Sequence, residues 1–89
     1  MIPQILAYQD MMVFTCEHFL YDQEPILWVF HNEDDQWIFL CGLEHEGGEA
    51  LLVKFKLINN ADSSILQLME LPLGQQAHRA SFRDEWVIS

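Results

Sequence analysis

The stretch WVFHNEDDQWIFLCG, residues 28–42, decides how the rest of the chain is read. Two apolar runs, ILWVFH (residues 26–31) and WIFLCG (residues 37–42), flank a polar segment of Asn32, Glu33, Asp34, Asp35 and Gln36. Aromatic and β-branched residues suit a pleated, half-buried surface, and Asn and Asp bond their own backbone where a chain reverses, so the stretch predicts a β-hairpin. Pro25 fits ahead of the first arm, because the first residue of a strand tolerates a missing N–H. Neither arm alternates cleanly between apolar and polar. Continuous apolar arms predict strands covered on both faces, by a helix on one side and by something further on the other.

Working outward, MVFTCEHFLY (residues 12–21) has the same composition and is expected to be a third strand. Downstream, EGGE (residues 46–49) reads as a loop. ALLVKFKLI (residues 50–58) alternates at Leu51, Val53, Phe55 and Leu57, with Lys54 and Lys56 between, which predicts a strand running into a helical turn. A helical stripe of Ala50, Leu51, Lys54 and Ile58 is the competing reading. In DSSILQLMEL (residues 62–71), Asp62 is a natural N-cap, Ile65, Leu66, Leu68 and Met69 form an apolar stripe, and Pro72 and Gly74 stop the helix near Leu71. The tail holds a strand around residues 76–80 and a last apolar anchor at Trp86 and Val87. Strands, then helix, then strand make an α+β fold: a small, mainly antiparallel sheet with one or two short helices packed on it. At 89 residues the chain has room for one domain, residues 1–89, with a modest core.

Composition restricts the chemistry. Half of the residues are apolar (51%), too many for a disordered chain despite the charge. Fourteen acids stand against four bases, Lys54, Lys56, Arg79 and Arg83, for a formal net charge of −10. Binding to a phosphate backbone or an anionic membrane draws on clustered Lys and Arg, so the expectation is no nucleic acid and no membrane as partner. A basic protein or a cation would be steered in. The opening MIPQILAYQDMM lacks the basic start of a secretory signal, and no apolar run approaches the length of a membrane span, so a cytoplasmic protein is expected. In that reducing setting Cys16 and Cys41 are expected as thiols.

Three constellations hold reactive groups. Cys16 and His18 lie two residues apart and Cys41 and His45 four apart, a donor set that zinc accepts. Positions 16 and 18 would share one side of a strand, yet neither pair has the C-x2-C knuckle of structural zinc motifs, and a Cys in an apolar run also serves as a small core residue. Glu33, Asp34 and Asp35, even joined by Glu44, Glu46 and Glu49, lack the alternate spacing and turn glycine of a calcium loop and read as a solvated turn. His31 beside those acids could carry protons. No phosphate-binding glycine loop, nucleophile elbow or H-E-x-x-H is present, so no enzyme and no cofactor are expected. Trp28, Trp37 and Trp86 are candidate core residues that could also anchor a contact beside an acidic rim.

The segments TCEH (residues 15–18), HNEDDQWIFLCG (31–42), LLV (51–53) and LPLGQQAHR (71–79) together resemble a family of small bacterial proteins related to immunity proteins that neutralise polymorphic toxins. That family shows an H-D-x-D-D-G-x-W-x-F-L-x-G hairpin, an Asp-Pro-opened helix, a Leu-Pro-x-Gly turn and an Ala-x-Arg segment. This chain differs in having Asn32 in place of Asp, no hairpin glycine, and Ser63 in place of the helix-opening Pro. The resemblance implies a fold and an interaction role and brings no catalytic residues.

The sequence reading is therefore a cytoplasmic, non-enzymatic protein-binding domain, immunity-like, that meets a basic partner through Glu33, Asp34, Asp35, Trp37, Glu44 and Glu46. The alternative is a zinc-binding protein using Cys16, His18, Cys41 and His45. The doubly apolar hairpin adds an expectation of a homodimer or a hydrophobic partner on the sheet, unless IPQILAY (residues 2–8) folds back over it.

Overall fold

The hairpin forms where the apolar arms predict it. In the computed structural model, which describes residues 10–42 and 50–88, β2 (Trp28–His31) pairs antiparallel with β3 (Trp37–Leu40), with Val29 opposite Phe39 and His31 opposite Trp37. Asn32 closes the turn as its composition predicts: its Oδ1 accepts from the N–H groups of Asp34 (3.0 Å) and Gln36 (2.8 Å). Asp35 takes the left-handed conformation at φ 61, a place where glycine is the more usual resident.

The upstream segment corrects the sequence reading. Residues 12–21 are not one strand: β1 covers Met12–Thr15, Cys16 stays extended (φ −105, ψ 160), and α1 follows at Glu17–Asp22. Local end signals outweigh strand composition here. Glu17 sits at the favourable N-terminal end of the helix, Gln23 turns left-handed at φ 57, and the Glu24 N–H returns to the His18 carbonyl at 3.2 Å, with Pro25 beyond.

β1 lies parallel to β3, with Phe14 opposite Ile38 and Thr15 opposite Phe39. β4 (Leu51–Lys54) then pairs antiparallel with β1, and α2 (Phe55–Ala61) follows directly, as the alternation running into a helical turn predicts. The segment after Asp62 is a 3-10 helix, Ser63–Leu68, and Asp62 caps it by accepting from the Ser64 N–H at 3.0 Å. β5 (Gln75–His78) joins β2, and the short β6 (Val87–Ile88) joins β5. The sheet order is β4-β1-β3-β2-β5-β6, one parallel pair in an otherwise antiparallel open sheet, with three short helical segments. The fold is α+β, as expected, with one helical segment more.

One face of the sheet makes the core. Val13, Val29, Trp37, Phe39 and Ala77 meet Phe55 and Ile58 of α2 and Ile65 and Leu68 of the 3-10 helix. The Phe39 and Phe55 rings tilt against one another at 6.1 Å. The Thr15 hydroxyl, wholly buried in this layer, donates to the Phe39 carbonyl at 2.9 Å, which satisfies it there.

A buried charge holds the far edge. The Arg79 guanidinium pairs with the Asp62 carboxylate and donates to the Ile26 carbonyl from both Nε (3.1 Å) and Nη2 (2.8 Å). Its Nη1 and the Trp86 Nε1 both donate to the Ser64 hydroxyl, at 3.2 and 3.1 Å, while that hydroxyl donates to Asp62 at 2.7 Å. The Trp86 ring lies 4.1 Å from the guanidinium carbon, and Phe82 stands 5.3 Å away. Arg79 thus ties the 3-10 helix, the lead-in to β2 and the C-terminal segment together. Arg79→Ala leaves Asp62 as a buried uncompensated charge and is expected to cost about 3–5 kcal/mol. Urea unfolding should show a lowered midpoint, with Arg79→Lys, which keeps the charge but loses the fork, falling between the variant and the original protein.

Candidate functional site

The residues expected to meet a partner separate into different environments. Glu33, Asp34 and Asp35 are exposed at the hairpin turn, as expected of solvated carboxylates. Glu44 and Glu46 lie outside the described residues. Trp37 is a correction: it is 5% exposed and belongs to the core, its ring stacked on the His31 ring at 3.9 Å and 8°. It shapes the base of the turn and offers no contact surface. The period-2 register explains this, since Trp37 shares the inward side of β3 with Phe39 and Cys41.

His31 is engaged on both ring nitrogens. Nδ1 lies 2.7 Å from the Leu71 carbonyl and Nε2 lies 2.6 Å from Asp35 Oδ1. Both partners are acceptors, and the Gly74 N–H donates to the His31 carbonyl, so this histidine stitches the turn to the segment before β5. A ring covered by Trp37 and bonded at both ends holds the turn in place.

The second face of the sheet is the surface on which the doubly apolar arms predict a further cover; IPQILAY (residues 2–8), the alternative cover, lies outside the described residues. Phe14, Trp28, Phe30, Ile38 and Leu40 project there, only partly buried, and none belongs to the core cluster or packs against it. The cross-strand register links them: Phe14 is opposite both Ile38 and Leu52, Phe30 opposite Ile38, and Trp28 opposite Leu40. Met12 (47% exposed) and Leu52 (55%) extend the patch toward the β4 edge. Trp28 and Phe30 stack at 6.2 Å, and the Trp28 N–H finds Gln76 Oε1 at 2.6 Å. No strand position on this face is an acid: the polar members are Lys54, Gln76 and His78. The doubly apolar arms of residues 28–42 were the signal for it. A separate open groove runs between α1 and the Phe82 turn, lined by Phe19, Leu20, Pro25, Ile26, Leu57 and Phe82.

Three of the four expected metal donors converge. The ligand atoms of Cys16, His18 and Cys41 all lie within 4.8 Å of one another, and His45 lies outside the described residues. The expected route to this convergence is corrected, since Cys16 and His18 do not share a strand. Cys16 caps α1, His18 sits in its first turn, and Cys41 follows the end of β3. Both cysteines are buried thiols, as expected, and no disulfide joins them.

No family model, curated protein or solved structure matches the chain. No described helix is long and apolar enough to cross a membrane.

The division between Trp37 and the turn acids is measurable. Trp37→Ala should cost about 3–5 kcal/mol of stability, the range for truncating a buried aromatic. Asp34→Asn, at an exposed position, should stay within about 0.5 kcal/mol of the original protein in the same urea titration.

Proposed function

We propose that this chain is a non-enzymatic, cytoplasmic protein-binding domain that seats a basic protein partner on the outer face of its sheet. The observation that carries the reading is the apolar face of Phe14, Trp28, Phe30, Ile38 and Leu40, with no acid at a described strand position on it, in a chain of net charge −10. Such a patch, rimmed by polar groups, has the make-up of an interface centre, where aromatic residues are enriched and charge is depleted. Glu33 and Asp34, exposed at the end of the same hairpin, supply the opposite charge for basic residues flanking the partner's apolar anchor. The aromatic contact comes from Trp28 and Phe30 and not from Trp37. The resemblance of the hairpin to immunity-related proteins adds the specific case of a basic toxin domain as that partner. The non-enzymatic part of the reading is supported by His31, whose two nitrogens are both engaged in holding the turn.

The two parts of the surface predict different signatures. Phe30→Glu is expected to abolish retention of the partner from the native lysate at any salt concentration. Glu33→Lys with Asp34→Lys is expected to slow association chiefly at low salt, where exposed charges are least screened. Retention unchanged by Phe30→Glu would sink the reading. Sedimentation of the purified chain at micromolar concentration is expected to give 10.5 kDa, unchanged by dilution. A larger mass lost in Phe30→Glu would assign the face to a second copy instead.

A further inference from the structure

We propose that Cys16, His18 and Cys41 form a zinc-binding centre that clamps the end of β1 to the end of β3, independently of what binds the outer face. Both of the chain's two cysteines and one of its four histidines meet at a single point. They come from three places in the fold: the cap of α1, the first turn of α1 and the residue after β3. Their ligand atoms stand within 4.8 Å of one another. In a tetrahedral zinc site with bonds of about 2.3 Å to sulfur and about 2.0 Å to nitrogen, neighbouring donors are about 3.6–3.8 Å apart. Side-chain torsions alone can supply the contraction needed, roughly an ångström or less.

The donor chemistry selects the ion. Two thiolates and an imidazole are a soft set that favours zinc over calcium or magnesium, which take oxygen. Cys16 and Cys41 are 3% and 2% exposed, and a bound cation would offset the cost of carrying two thiolates at that depth. The site lies in a chain of net charge −10, which raises the local concentration of cations. No fourth His, Cys, Asp or Glu among the described residues completes the set, so the three supply a partial shell that a water or a further donor would complete. Thiol packing by itself would explain two small buried residues. It does not explain why Cys41, after β3, meets both Cys16 and the histidine in the first turn of the next helix.

The test uses the full chain, purified reduced and without chelator. Elemental analysis is expected to find about one zinc per chain, and cobalt(II) replacing it should give thiolate-to-metal charge transfer with tetrahedral visible bands. Cys41→Ser and His18→Ala are each expected to weaken zinc binding at least about tenfold. Because a buried-cysteine variant could fail to fold, the unmodified protein provides a second readout: one equivalent of zinc should slow modification of both thiols by a disulfide reagent at least about tenfold. Substoichiometric metal, or thiols equally reactive with and without zinc, overturns the proposal. A cobalt spectrum lacking thiolate charge transfer does the same. None of these readings touches partner retention, so failure here leaves the outer-face reading standing, and the reverse holds too.

Discussion

The parallel pairing of β1 with β3 is the constraint on which the rest of the structure depends. Once β1 enters beside β3, it extends the hairpin into a wider sheet, provides an edge for β4, and places Thr15 where its hydroxyl bonds the Phe39 carbonyl. A parallel pair also ends at one side of the sheet. Cys16, leaving β1, and Cys41, leaving β3, therefore emerge together, and the immediate turn into α1 swings His18 back toward them. Antiparallel pairing of the same two strands would have sent the cysteines to opposite ends.

At the same end of the strands, beyond β2 and β5, a buried ion pair performs a comparable organising task. Asp62 closes α2, caps the 3-10 helix and receives Arg79, while Arg79 saturates the Ile26 carbonyl and lies against Trp86. Burying a charge is costly unless it is paired and hydrogen-bonded. Arg79 meets that condition with a carboxylate, a carbonyl and a hydroxyl, and in doing so fixes where the C-terminal segment lies.

The two faces of the sheet differ in what covers them. The inward face carries the core, with Trp37 and Phe39 among its largest members. Apolar side chains on the outer face have no described helix over them, and Glu33, Asp34 and Asp35 stand exposed at the hairpin turn. A surface so arranged loses little stability when a residue such as Phe30 is changed, yet it would lose its complementarity, which separates a binding role from a packing role.

Local chemistry was legible in the sequence. The hairpin of residues 28–42, the Asn32 turn, the strand-to-helix switch after Lys54 and the Asp62 cap all follow from short-range rules of side-chain alternation and capping, so they could be read without partners in space. The doubly apolar arms likewise announced a second face in need of cover. The end of β1 at Thr15 was hidden because the residues after it share strand composition, although the helix that follows closes locally, the Glu24 N–H returning to the His18 carbonyl. Two things depended on contacts distant in sequence. The burial of Trp37 against His31 depended on which side of β3 faces α2. The meeting of Cys16, His18 and Cys41 depended on strand order and direction, which spacing along the chain does not encode, because a parallel neighbour 24 residues away and an antiparallel one look the same in sequence. Residue pattern determined the elements and the chemical groups they carry; tertiary pairing decided which of those groups stand together.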